Sequence, residues 1–369
     1  MFSIIKTDPS APYDRSLVFL SLSLFLIGLI TVASSSFPHG LSYTYKHATF
    51  IGISIIVLLA TCNISNRTLI NKSPQLLMLA LLFLVIVISP LGKTVNGAQR
   101  WIPLGLFNFQ PAELTKLAFF IFLSSYLDRK NHQVKSSMFG AYAKPAMAFG
   151  LFAALLLQQP DFGTVVVIAV VSLSMVFIAG ARIRDTLTIA VCGLCGIFAL
   201  ILSAPYRMKR VISFLDPWQD PFGSGYQLTQ SLMAFGRGGW TGQGLGNSVL
   251  KLNYLPEAHT DFIFAILSEE LGFLGVIIVL ALLLLLALKA LHIGTTALEL
   301  GRGNVGFLAC GFCVWFSFQT FVNIGAASGM LPTKGLTLPL VSYGGSSLII
   351  MSITIGILLR IDYENRNYK

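Results

Sequence analysis

Hydrophobic residues in this chain do not recur at intervals of three and four. They run on in blocks, the longest being GVIIVLALLLLLAL at residues 275–288. Ten such blocks lie at roughly 16–36, 47–63, 75–92, 111–127, 142–158, 163–180, 186–204, 262–288, 304–328 and 337–359. About 20 apolar residues in a helix cross a bilayer core of ~30 Å, and a helix satisfies its own backbone in lipid. The pattern predicts an all-α polytopic membrane protein of about ten transmembrane helices. The alternation of a transmembrane barrel is absent. The first block is too long for a signal-peptide core and nine more follow, so it reads as an uncleaved anchor.

Between the blocks the loops are short, with one exception. Residues 205–261 form a loop of 57 residues rich in Gly, Pro, Trp and Tyr, and no linker divides the chain, so 1–369 reads as one integral membrane domain. Long structured loops on a helical scaffold carry function. Gly242 and Gly244 lack a third glycine and a strand–helix context, which excludes a dinucleotide fold. The stretch YQLTQSLMAF is expected to form a short helix, surface-lying or re-entrant.

Composition agrees: 55% of residues are hydrophobic and 11% charged, against about 25% charged in soluble domains. With both termini on one side, that side holds 15 Lys and Arg and the other 10. The positive-inside rule then makes both termini cytoplasmic and the 205–261 loop extracytoplasmic. The net charge of +10 is mostly topogenic and calls for no nucleic acid. The pairs Cys192–Cys195 and Cys310–Cys313 lie inside apolar blocks, so they are expected to pack helices rather than hold zinc.

The unusual polar residues then fall on one side: Arg100 in GAQRW, Glu113 and Lys116 in QPAELTK, Asp161 in QPDFGT, the Arg207–Lys209–Arg210 cluster, Asp261, and Lys334 ahead of PLVSYGGSS. Each has a structural reading. Glu113 and Lys116 could be an ion pair one turn apart. Asp161 could cap a helix, and Asp261 could be an acid at a helix start. The basic cluster could hold headgroups, and VSYGGSS could be close helix packing. Their convergence points to function, because ionisable groups at membrane depth are expensive. Many cations with a few carboxylates suit a phosphorylated, membrane-borne substrate.

Four carboxylates (Glu257, Asp261, Glu269, Glu270) and His259 crowd the mouth of the eighth block. On one continuous helix, Asp261 stands about 12 Å above Glu269, and the two diverge by ~80°. Glu270 points to the opposite face. That geometry predicts no carboxylate metal cluster. It leaves Asp261 to address a headgroup and Glu269 to brace a neighbouring helix.

GAQRW, QPAELTKL, QPDFGTVVV, DPFGSGYQLTQSLMAFGRGG, GQGLGNSVLKLNYLPEAHTDFIFAILSEELG and GMLPTKGLTLPLVSYGGSS together resemble the SEDS (FtsW/RodA/SpoVE) family of cell-wall polymerases over nearly the whole chain. PAELTK and GMLPTKGLTLPL lean toward its cell-division branch. The resemblance implies a peptidoglycan glycosyltransferase of the bacterial inner membrane at the division septum, joining lipid II units outside the membrane. It implies a lipid-accessible cavity and a catalytic aspartate at Asp261. It also implies partners: the class B penicillin-binding protein FtsI and the divisome proteins FtsQ, FtsL and FtsB. A transpeptidase needs S-x-x-K with further motifs; here SIIK (Ser3 to Lys6) lies in the N-terminal tail and no KTG exists, consistent with a separate crosslinking partner.

For that reaction Asp261 is the expected general base. Arg100, Lys116, Arg207, Arg210 and Lys334 are the expected pyrophosphate-binding cations. Glu113, Asp161, His259 and Glu269 support them. No tightly bound cofactor is expected, only Mg²⁺ or Mn²⁺ shared with the pyrophosphate. Two other readings stand beside it: a lipid II flippase, which wants polar lining at both faces or the midplane, and a non-catalytic divisome scaffold.

Overall fold

The computed structural model describes residues 13–37, 40–95, 97–105, 107–136, 138–203, 205–252, 254–332 and 335–368. In chain order they form α1 (Arg15–Ser36), α2 (Ser42–Cys62), α3 (Asn66–Asn71), α4 (Ser73–Ile88), β1 (Lys93–Val95), β2 (Ala98–Pro103), β3 (Asn108–Phe109), α5 (Pro111–Arg129) and α6 (Asn131–Ser136). There follow α7 (Met138–Gln158), α8 (Phe162–Ile178), α9 (Ile183–Leu202), α10 (Pro205–Leu215), α11 (Tyr226–Gly238), α12 (Ile263–Glu299), α13 (Gly303–Ala327) and α14 (Gly345–Arg366).

A helix lies in each of the ten apolar blocks. Six of them (α1, α2, α9, α12, α13, α14) are long and apolar enough to cross a membrane, and shorter apolar helices fill three more blocks. Two boundaries differ most from expectation. The last helix starts at Gly345, not 337, because Pro339, Leu340 at φ 62 and Gly344 hold the preceding stretch out of helix. The eighth block extends to Glu299, since good helix formers continue past Leu288.

A three-stranded antiparallel sheet, order β1-β2-β3, was not anticipated from the blocks. Its first turn includes Gly97 at φ 76, and the Asn96-Gly97 pair in the sequence is a strong hairpin signal. The sheet tops α4 and α5 and presents Arg100.

The core is a bundle of α5, α8, α12, α13 and α14, closed by aromatic contacts such as Phe120 on Trp315 at 5.2 Å. The start of α1 and the end of α14 meet at one end of this bundle. Asp14 accepts from Lys289 Nζ at 2.8 Å, and the Tyr13 and Tyr363 rings lie 5.8 Å apart. Asp261, Arg100 and Asp161 lie at the other end. At the periphery, α9 has no buried residue, so Cys192 and Cys195 face outward instead of packing helices as expected. Cys310 does pack: a β-carbon on Gly294 would stand 2.6 Å from its sulfur.

Candidate functional site around Asp261

Asp261 lies in turns just ahead of α12, not on the helix. Glu257, four residues earlier, turns the chain with φ 55, and its carbonyl accepts from the nitrogens of Thr260 at 3.1 Å and Phe262 at 3.3 Å. Opposite stands Gly335. A β-carbon there would lie 3.1 Å from Asp261 Oδ2 and 3.9 Å from Arg100 Nη1. A side chain there would crowd the carboxylate and make it shift.

Arg100 is aimed by backbone carbonyls. Its Nε donates to Gln159 O at 3.0 Å and its Nη2 to Pro160 O at 2.5 Å. Pro160, Glu257 and Leu340 are the positive-φ residues other than glycine among the described residues. All three flank this end of the molecule, where strained backbone is characteristic of functional sites.

Burial pushes the Asp261 carboxyl up, and the nearby Glu257 charge adds to it; Arg100 and Arg210 oppose and Asp161 adds a smaller upward push, leaving it at about 7. Desolvation disfavours the charged form. A carboxyl near neutrality can accept a proton and still be ionised at working pH.

Beneath the site, α13 carries two amides one turn apart. Asn323 Nδ2 donates to Asp261 O at 3.0 Å and to Leu336 O at 2.6 Å. Gln319 Nε2 donates to Thr337 O at 2.8 Å, while its Oε1 accepts from Trp315 Nε1 at 2.8 Å and Lys116 Nζ at 3.2 Å. Lys116 Nζ also meets Glu113 Oε1 at 2.8 Å and lies 5.2 Å from the Trp315 ring centre. Lys116 is fully buried among these partners, and so it is not open to a pyrophosphate as expected. The serines of VSYGGSS anchor the covering loop: Ser342 Oγ accepts from Leu338 N at 2.7 Å, and Thr337 and Ser347 share a hydroxyl contact of 2.8 Å.

The other expected residues divide. Asp161 caps α8, accepting from Thr164 N at 3.3 Å and Thr164 Oγ1 at 2.8 Å. Arg207 donates to Leu200 O at 2.7 Å and lies 5.6 Å from the Phe162 ring centre. Arg210, on α10, is exposed, and its charge reaches Asp261. His259 packs on Tyr43 at 4.6 Å and Tyr343 at 5.5 Å between ring centres. Lys334 lies outside the described residues.

Glu269 and Glu270 are both buried and have separate tasks. Glu269 accepts from Arg237 Nε at 2.9 Å, Val249 N at 3.1 Å and Ser248 Oγ. Glu270 accepts from Lys251 Nζ at 2.9 Å and Ser34 Oγ at 2.5 Å. The geometry expected from one continuous helix is corrected here. The helix starts only at Ile263 and breaks at Gly272 with φ 65. Into that break the 239–244 backbone laces itself, with Gln243 N on Glu269 O at 2.9 Å and Gly244 N on Glu270 O at 3.0 Å. The break exists because Gly272 and the glycines of GRGGWTGQG allow two backbones to touch.

The motifs alone did not single out Asn323, Gln319, Gly335 or Lys251. For the two amides a signal existed: Gln319 and Asn323 are four apart in an apolar helix, where polar side chains reach across to neighbours. Among the described residues, no group of three or more His, Cys, Asp and Glu could hold a metal ion.

The comparisons agree with this architecture. Residues 15–367 match the FtsW/RodA/SpoVE family, described as cell cycle proteins. A probable peptidoglycan glycosyltransferase FtsW of Tolumonas auensis is 55% identical over 96% of this chain and 93% of its own. That of Aliivibrio salmonicida is 50% identical over 99% of this chain and 92% of its own. Among solved structures, one from a peptidoglycan synthase complex that coordinates polymerization and crosslinking superposes with a TM-score of 0.82, at 29% identity, covering 97% of this chain and 99% of that one. The Rod shape determining protein RodA of Thermus thermophilus superposes with a TM-score of 0.72 at 29% identity, over 97% of this chain and 98% of that one. With nearly every residue matched, in sequence and in fold, this multi-pass helical membrane chain belongs to the FtsW/RodA/SpoVE family.

Proposed function

We propose that the protein is a septal peptidoglycan glycosyltransferase that polymerises lipid II, with Asp261 as general base. One observation carries the reading: a carboxyl raised to about 7 is held against the Gly335 backbone and beside Arg100. The relatives' names and the synthase complex supply the reaction class.

The growing strand is the donor, held through its anomeric carbon on undecaprenyl pyrophosphate. Lipid II is the acceptor. Its sugar 4-hydroxyl attacks that carbon, a new C–O bond forms, and the bond to the pyrophosphate oxygen breaks. The hydroxyl proton passes to the Asp261 carboxylate. One displacement converts the α link to a β-1,4 link. The departing pyrophosphate carries new negative charge, and preorganised cations stabilise it best where water is excluded. Arg100 and Arg210 act on the charge of the base, and Arg207 lies on α10 with Arg210. Lys334 supplies a further charge. Lys116, Glu113 and Asp161 hold the frame. A Mg²⁺ or Mn²⁺ ion shared with the pyrophosphate would draw its ligands from phosphate and water, and the transfer is derived without it.

In this reading Asp261 faces outward at the septum, both termini are cytoplasmic, and FtsI with FtsQ, FtsL and FtsB complete the assembly. The flippase reading is weaker, since the groups assigned to the reaction, Asp261, Arg100 and Arg210, lie at one end of the bundle and not at its middle. Purified protein with its penicillin-binding partner, given fluorescent lipid II, should yield glycan strands on a gel. In proteoliposomes with lipid II in the outer leaflet only, polymer should form without translocation; transfer across the bilayer with no polymer sinks the enzyme reading.

A further inference from the structure

The Asp261 segment and the 335–337 segment come from parts of the chain more than 70 residues apart. Neither is helical. A single side chain spans them. Asn323 is buried, and its one Nδ2 group donates to both Asp261 O and Leu336 O. The two acceptors are backbone carbonyls, so the amide fixes main chain on each side. Gly335 is the residue next to Leu336, and a β-carbon on it would stand 3.1 Å from Asp261 Oδ2 and 3.9 Å from Arg100 Nη1. One turn earlier, Gln319 repeats the device on Thr337 O.

We propose that Asn323 is a positioning residue for glycosyl transfer, the joint that sets the Asp261 segment against the 335–337 segment. This inference rests on the Asp261 reading given above. The chemistry of the side chain supports it. Only a primary amide offers two N–H donors from one nitrogen with no charge. A buried carbonyl that loses its donor costs about 1–3 kcal/mol, so each segment is held to Asn323 and through it to the other. A displacement near 1 Å at a reacting group can cost 10²-fold in rate. Asp261 is partly shielded from water, with Glu257, Arg100, Arg210 and Asp161 as the charges acting on it.

The test is Asn323→Leu, similar in size and without donors, in the full chain with its partner. Three measurements are made on it. Hydrogen exchange should speed up in residues 255–262 and 335–340 and stay unchanged along α12 and α13. Polymerisation should fall about 10²-fold in kcat with KM nearly constant. The acid limb of the pH–rate profile should move below 7, because a loosened segment lets water reach Asp261. Asn323→Gln, which keeps both donors, should recover part of the rate. Unchanged exchange in the two segments, or a rate loss with an unmoved acid limb and no recovery by Gln, overturns the positioning role and leaves Asn323 a packing residue. The two readings fail separately. An Asp261→Asn protein that polymerises at the wild-type rate removes the base and this inference with it. Loss of activity in Asp261→Asn alongside an undiminished Asn323→Leu rate removes this inference alone.

Discussion

Gly272 and Gly242 meet backbone to backbone: a β-carbon on Gly272 would stand 2.3 Å from the Gly242 nitrogen, and one on Gly242 would stand 2.1 Å from the Glu270 carbonyl oxygen. This contact lets the long loop dock on the broken start of α12 and keeps two carboxylates buried.

Gly242→Ala should therefore be far more costly than an alanine elsewhere in the same loop. Gly246 has a similar φ of +84 but open space around its α-carbon, so Gly246→Ala should pay only the left-handed penalty of about 1–2 kcal/mol. Thermal unfolding in detergent should show a small drop for Gly246→Ala and a drop several times larger for Gly242→Ala. Equal losses would mean that the loop does not dock here.

Asp261→Asn should lower polymerisation ~10²–10⁴-fold, the usual share of a general base. In the wild type the rate should climb with pH through about 7, as the base loses its proton. Stability should run the other way. The folded carboxyl titrates near 7 against an ordinary 3.8, so its contribution is full below 3.8 and is lost as pH rises through 7. Asp261→Asn should then melt higher than wild type at pH 8 and not at pH 4. A variant that is both active and no more stable at pH 8 would return Asp261 to a capping role.

On the far helix face Glu270→Gln is expected to be mild, but burial reverses that expectation. Lys251 and Glu270 have side chains 4% and 1% exposed. Removing one partner strands a buried charge, at about 3–5 kcal/mol. The loss should appear in folded yield and melting temperature. Lys251→Met combined with Glu270→Gln should recover most of it. A double variant as unstable as the single one would show that the pair is not the source of the cost.

Arg210→Ala and Lys334→Ala should each slow polymerisation by 10-fold or more while leaving folding intact, since both changes remove charge from the pyrophosphate side. Melting curves on the same samples check the folding clause. Wild-type rates for both would make these side chains headgroup anchors and leave Arg100 and Arg207 as the leaving-group cations.

The helices were legible because apolar blocks of helical length admit few other structures in lipid. Asp261, Arg100 and Asp161 could be placed at one end of the bundle from loop parity alone. Two things were hidden. The break at Gly272 was masked by the unbroken run of apolar residues after it, and the relation of Asp261 to Glu269 was drawn on a helix that begins only at Ile263. The pairing of Asn323 with Asp261 O depends on which backbones α13 meets, and no spacing within one helix encodes that. Lys116 showed the same limit. Its helix face was readable, but not that Glu113, Gln319 and Trp315 enclose it.

Helix α1 is fastened to α12 twice. At one end Ser34 Oγ donates to Glu270 and receives from Lys251 Nζ at 2.9 Å, and at the other Lys289 grips Asp14. Separating these two helices would expose or strand buried charge at both ends, at several kcal/mol each. α9 has no buried residue to lose. The molecule is thus a stiff chassis with one loosely sprung flank. Any breathing of the bundle is cheapest on the α9 flank, while the α1–α12 spar holds its own two helices in register.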